Sequence, residues 1–288
     1  MKRIAILGCE NSHANNFLKY IKEKPEFADV EVVGVYSNEK EPPEKLNKEF
    51  GVPIMNDYAD AVGKIDGLVI TARHGDNHYK YAKPYIESGI PMFIDKPITV
   101  NEDEAIKFMR ELRQNGVKIS GGSSLKHADV IYDLKAKAES EEGGKTLGGS
   151  VRAPLSSDSP YGGFYFYAQH LVEMLCEVFG RYPRSVVAYK AGDTKTVVFR
   201  YDGYDVTGLY TDTSWQYYAV RYAEKEDQGG KVELTNAFYR EFDEFYKLLS
   251  GEEQKISYDD FISPVFIMNA IERSLISGKE EAVKEYKV

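Results

Sequence analysis

Cysteine is nearly absent from this chain of 288 residues, with only Cys9 and Cys176 present. Two dispersed thiols make neither a disulfide framework nor a cysteine metal site, and a reducing cytoplasm is the default expectation. Histidine is scarce as well, at five copies. His74 and His78 stand four apart, but no third ligand lies near them, so no metal site is expected. Long apolar runs are missing: none approaches the roughly 20 residues that span a bilayer. The apolar stretch at 4–7 is too short for a secretory signal and reads as a strand. A basic excess is missing too. The net charge of −9 argues against non-specific binding to nucleic acid or anionic membranes, both of which need basic faces. What the chain has in plenty is tyrosine, 22 copies against one tryptophan. Its flat apolar ring and polar tip suit pockets and subunit interfaces, and equally an aromatic-rich core.

The first part of the chain alternates short apolar strands with helical stretches. Strands are expected at 3–7, 30–36, 67–70, 92–94 and 117–120. Helices are expected at about 12–23, 39–50 and 76–88, with another capped by Thr99 or Asn101 and ended by Gly116. This alternation implies a mostly parallel, doubly wound sheet covered on both faces. From Gly121 the texture changes. A helix near 128–138 is followed, beyond residue 179, by extended segments at 185–190, 195–201, 204–211, 216–222 and 231–235. Helices at about 161–179, 236–250 and 258–277 accompany them. The reading is α/β: an N-terminal Rossmann-type domain over 1–122, then an α+β domain over 123–288. The second domain is expected to carry an open, mainly antiparallel sheet.

Ligands of open α/β sheets bind at the carboxyl ends of the strands. Asp95-Lys96-Pro97 ends the run Met92-Phe93-Ile94 and so places a lysine at that edge, with Pro97 keeping Lys96 out of helical geometry. The first turn, Gly8-Cys9-Glu10-Asn11-Ser12-His13, is where a dinucleotide pyrophosphate would meet a helix N-terminus. Only the first glycine of G-x-G-x-x-G is present, and Glu10 would repel a phosphate unless turned away or neutralised. Asn11 or Ser12 also reads simply as an N-cap. The second strand ends in Ser37-Asn38-Glu39-Lys40. Ser37 and Asn38 do not repel a 2′-phosphate and Lys40 would pair with one, which tilts the expectation from NAD toward NADP. Thr71, Ala72, His74 and His78 follow the third strand, at the cofactor's edge.

Taken together, these segments resemble the Gfo/Idh/MocA oxidoreductases, named for glucose–fructose oxidoreductase and inositol dehydrogenase. Asp95-Lys96-Pro97 resembles the family's Glu-Lys-Pro signature, and Thr71 to His78 its T-P-x-x-x-H segment with Ala72 for proline. Gly121-Gly122-Ser123-Ser124-Leu125-Lys126 is similar to G-[YF]-x-x-R-[FY]. The stretch Phe166 to Glu173 resembles D-x-G-x-H-x-x-D, with Phe166 in place of the first Asp and Ala168 in place of the glycine. The resemblance implies hydride transfer between NAD(P) and a sugar, cyclitol or related polyol. It implies Lys96 and His170 as catalytic groups, and Lys96, Lys126, His170 and Glu173 as substrate contacts. Tyr167 is added as a catalytic hydroxyl and Tyr165 as a substrate contact from their place in the same stretch. The resemblance further implies a homodimer or homotetramer packed through the second sheet. Glu10, Ala72 and Phe166 keep a second class open: a relative that retained the fold and became a ligand-binding or regulatory protein.

Overall fold

The computed structural model describes all 288 residues. Chain order in the first part is β1 (Lys2–Leu7), α1 (Ser12–Glu23), β2 (Val30–Tyr36), α2 (Glu41–Phe50), β3 (Gly67–Ile70), α3 (Asp76–Ala82), β4 (Met92–Asp95), α4 (Glu102–Gln114) and β5 (Ile119–Gly122). The five strands form one parallel sheet in the order β2-β1-β3-β4-β5. Strands β3, β4 and β5 are buried at every position, as expected for a sheet covered on both faces. Outside β2, Val35 makes a single parallel bridge to Ile54. Pro53 beside it has no N–H to donate, which suits an edge reduced to one contact. Strand order reverses between β1 and β3, and the crevice at that switch point is where such sheets hold ligands. The helix expected over 76–88 tightens to a 3-10 turn at Lys83–Ser88, because Pro84 has no N–H for an α-helical bond.

The second part runs α5 (Asp129–Glu139), β6 (Thr146–Pro154), α6 (Phe164–Phe179), β7 (Ser185–Ala191), β8 (Thr194–Arg200), β9 (Asp205–Thr211), β10 (Tyr217–Ala223), β11 (Asp227–Val232), α7 (Ala237–Leu249), α8 (Tyr258–Ser277) and β12 (Glu281–Ala282). Its sheet has seven strands in the order β11-β10-β6-β9-β8-β7-β12, antiparallel except where β6 runs beside β9. The central strand β6 was not expected, since Gly148 and Gly149 weaken its strand pattern. Packing explains Gly149: a Cβ there would stand 2.2 Å from the Phe179 ring, so glycine lets α6 lie against the sheet. The strand expected at 231–235 instead occupies 227–232, because its antiparallel pairing with β10 runs from Val232 back to Asp227.

The C-terminal helices return to the first sheet. Phe242 and Phe245 of α7 pack with Phe17, Phe27 and Phe93, while Phe261, Ile262, Val265 and Phe266 of α8 join the core around α4. No helix is long and apolar enough to cross a membrane.

Candidate active site

Lys96 leaves the end of β4 and is 4% exposed. Its ammonium donates to the Phe166 carbonyl at 3.3 Å and lies 4.5 Å and 5.0 Å from the Phe166 and Tyr167 ring centroids. The sheet edge and α6 therefore meet at this lysine. Burial depresses its pKa, with Asp95 and Glu241 opposing and Arg73 adding to the fall. Asp95 is fully buried; its Oδ1 accepts the Lys96 backbone N–H at 2.7 Å and its Oδ2 accepts the Asn11 side-chain amide at 2.6 Å. Burial raises its carboxyl to about 6, against the pull of His13 and Lys96.

His170, on the buried face of α6, packs edge-on against Tyr167 at 5.1 Å and Tyr217 at 5.9 Å. Its Nδ1 lies 2.7 Å from Ser123 Oγ, which also accepts the Leu125 N–H. Burial, then Lys96 and His13, hold its pKa well below the ordinary imidazole value, so the ring is neutral at pH 7. Tyr167 is half-buried and stands edge-on to Trp215, the sole tryptophan, which is 62% exposed. Lys96, Tyr167 and His170 thus form one cluster.

The predicted cofactor residues divide into cleft-lining and bracing groups. Gly8, at φ +76°, has no room for a side chain: a Cβ there would stand 2.3 Å from the Ala72 backbone. Thr71 donates to the Gly8 carbonyl at 3.0 Å, and both Thr71 and Ala72 are fully buried. They hold the turn from behind. His78 does not reach the cleft either: it is fully buried, with Nε2 2.8 Å from the Ala72 carbonyl and Nδ1 3.2 Å from that of Ile98. Its burial lowers the ring to about 4. His13 also turns inward, between Asp95 and Glu241.

Glu10, Asn11 and Ser12 line a cleft of about 520 Å³ with Arg73, Glu39 and Lys45. Glu10, Ser37, Asn38, His74, Glu39 and Tyr161 line an adjoining one of about 390 Å³. Glu10 is turned sideways: it accepts the Ser37 hydroxyl at 2.8 Å and the Arg73 N–H at 3.1 Å. Asn11 makes no side-chain cap, so the first N–H groups of α1 remain free. The glycine cradle, the free helix N-terminus and the nearby Arg73 fit a dinucleotide phosphate. Lys40 lines neither cleft, whereas Glu39 lines both. The tilt toward NADP loses its basis there.

Three predicted substrate contacts lie elsewhere. The Tyr165 hydroxyl is bound to Asn269 and Glu272 of α8, because its ring points away from the Lys96 side of the helix. Glu173 is buried and accepts the Gln169 amide at 3.0 Å, with Arg181 3.6 Å away. Lys126 lines a separate cavity of about 430 Å³ with His127, Glu177, Arg181 and Glu244, which includes neither Lys96 nor His170.

Sequence reading missed Ser123 and Gln169, although both lie in the quoted segments. Gln169 accepts the Ile98 N–H and so fixes the loop after Pro97 against α6. It also missed Arg73, which donates to the Tyr161 hydroxyl at 3.0 Å across the cleft. Glu241 carried no signal at all, lying in α7 far along the chain.

Residues 2–123 match the family model described as an oxidoreductase family with an NAD-binding Rossmann fold, GFO_IDH_MocA. Over this segment, less than half of its length, the chain is similar to that family. A curated relative, the uncharacterized oxidoreductase YhhX of Escherichia coli, is 21% identical over 188 residues, which span 62% of this chain and 53% of that protein. The chain thus matches about half the length of this curated relative. Two solved structures share the whole fold. Myo-inositol 2-dehydrogenase from Lactobacillus plantarum is 16% identical with a TM-score of 0.85, covering 98% of this chain and 99% of its own. Scyllo-inositol dehydrogenase from Lactobacillus casei, solved with NAD(H) and scyllo-inositol, is 15% identical with a TM-score of 0.85 and the same coverage of each chain.

Proposed function

We propose that this chain is a nicotinamide-dependent dehydrogenase of a small polyhydroxylated substrate, a sugar, cyclitol or derivative. The observation that carries the reading is the meeting of Lys96, from the end of β4, with Tyr167 and His170 of α6. Gly8, Asn11, Ser12 and Arg73 hold the dinucleotide phosphates; Ser37, Asn38 and Glu39 hold the ribose end. Because Glu10 and Glu39 line that end, a ribose diol fits better than a 2′-phosphate, and NAD is the proposed cofactor. When bound, the nicotinamide supplies or accepts the hydride. With its Nδ1–H donated to Ser123, His170 presents the Nε2 lone pair to take the substrate hydroxyl proton. The Lys96 ammonium, buried in a low-dielectric setting, stabilises the developing alkoxide. Tyr167 covers both groups and excludes water. A second copy of the chain is proposed to pack against the open face of the seven-stranded sheet.

One observation favours a second reading. The Lys96 ammonium is capped by the Phe166 carbonyl and two aromatic rings, and Phe166 stands where the resembled family has an acid. A chain that binds the cofactor without turnover, as a ligand-binding or regulatory protein, fits that cover. Titration with NADH and NADPH, followed by initial rates on a polyol panel, separates the readings. NADH binding with polyol-dependent reduction of NAD supports the dehydrogenase; binding without turnover supports the regulatory relative; no binding at millimolar cofactor ends both.

A further inference from the structure

Two buried carboxylates meet one imidazole behind the phosphate-binding turn. His13 Nδ1 lies 3.3 Å from Asp95 Oδ2, and its Nε2 lies 3.0 Å from Glu241 Oε2. His13 stands where the Rossmann fingerprint has its third glycine, and Glu241 enters from α7. Phe17, Phe93 and Phe238 enclose the ring. Although Glu241 Oε2 lies 3.0 Å from Nε2, neither oxygen of Glu241 nor Nε2 has a hydrogen-bond partner. The missing element is a proton. An ionised carboxylate without a donor is strongly disfavoured in an interior, whereas a carboxylic acid can turn its O–H onto Nε2. The charged groups facing Glu241 are Lys126, Glu244, Glu173 and Lys96; those facing His13 are Asp95 and Lys96.

We propose that His13 and Glu241 are positioning residues that store one proton, with Glu241 donating to Nε2 and the Nδ1–H shared between Asn11 Oδ1 and Asp95 Oδ2. The arrangement keeps Asp95 an anion beside Lys96 and so keeps the lysine charged. Burial acts in the same direction on both partners, raising the Glu241 carboxyl and lowering the His13 ring. The device also joins the cofactor turn to the lysine, since Asn11 contacts both His13 and Asp95. Its catalytic consequence rests on the dehydrogenase reading; its protonation pattern does not.

The test is a ¹H–¹⁵N spectrum of the five histidine rings between pH 5 and 9, with His13 assigned by a His13→Gln variant. The wild-type His13 ring is expected to be neutral, with its proton on Nδ1, throughout pH 6–8. Glu241→Gln, whose amide can still donate to Nε2, keeps the Nε2 resonance of a hydrogen-bonded acceptor; Glu241→Leu, which leaves the Nδ1–H with Asn11 and Asp95, moves that resonance to the position of an unbonded ring nitrogen. An imidazolium at pH 7 in the wild type, or an Nε2 resonance in Glu241→Leu unchanged from wild type, overturns the proposal. Where turnover is found, Glu241→Leu is expected to move the acid limb of kcat/KM upward by about half a pH unit or more, and Glu241→Gln to restore it. An acid limb that both variants leave in place also overturns the proposal. Absence of turnover on every polyol would instead defeat the dehydrogenase reading, and the ring spectra would still decide the protonation pattern.

Discussion

Asn11 donates its side-chain amide to Asp95 at 2.6 Å, tying the turn after β1 to the end of β4. The carbonyl oxygen of the same side chain meets Ser12 Oγ and His13 Nδ1 and does not cap α1, whose N-terminus stays open for an anion. Asn11→Ala removes one donor from a fully buried carboxylate. It is expected to lower stability by about 1–3 kcal/mol, read as the urea midpoint at constant slope. An unchanged midpoint would show that the Asn11–Asp95 bond contributes nothing to the fold.

Lys96→Met keeps the length and apolar stem of the side chain while deleting the charge. The loss of turnover is expected to be about 10²- to 10⁴-fold, the usual range for a positioned acid–base group. The melting temperature is expected to fall, since the fully buried Asp95 loses its neighbouring cation, while the cooperative transition remains. Full activity in this variant would take Lys96 out of the mechanism.

The parallel sheet was legible because its strands are short and mostly apolar and alternate with helical stretches. Lys96 and His170 were legible because each sits in a segment with an ordered set of neighbours. Glu241 was not, since an acid on an amphipathic helix reads as surface until α7 is seen to pack beneath the first turn. His13 and His78 were read as ligand contacts from their place after strand ends; a one-dimensional pattern does not say on which side of a turn a ring is buried. Tyr165 and Tyr167 are two apart on α6, close to 200° around the helix, so only one of them can face Lys96.

Cofactor choice is expected to depend on Glu39, which lines both clefts and accepts the Tyr161 hydroxyl at 3.3 Å. Glu39→Ala removes a charge that would oppose a 2′-phosphate. The ratio of NADPH to NADH affinity should rise about tenfold, equivalent to about 1.4 kcal/mol. Trp215 is the only tryptophan, so energy transfer from it to the reduced nicotinamide gives both dissociation constants. A wild type that already prefers NADPH would refute the assignment of NAD.

Glu241→Gln tests the stored proton through stability alone. Burial raises the Glu241 carboxyl well above its ordinary value, so the folded state holds this proton more tightly than the unfolded chain does. The resulting stabilisation is complete below the unfolded pKa, near 4.3, and is lost as pH rises through the folded value. Glutamine fills the same space and does not titrate. The wild type should therefore lose stability relative to Glu241→Gln at about 1.4 kcal/mol per pH unit above pH 5, until the folded value is passed. Other titrating groups are common to both proteins and largely cancel in the difference. Urea unfolding at pH 5, 7 and 9 gives the two curves. Parallel curves would mean that Glu241 ionises alike in the folded and unfolded chain, and His13 would then have no proton to receive from it.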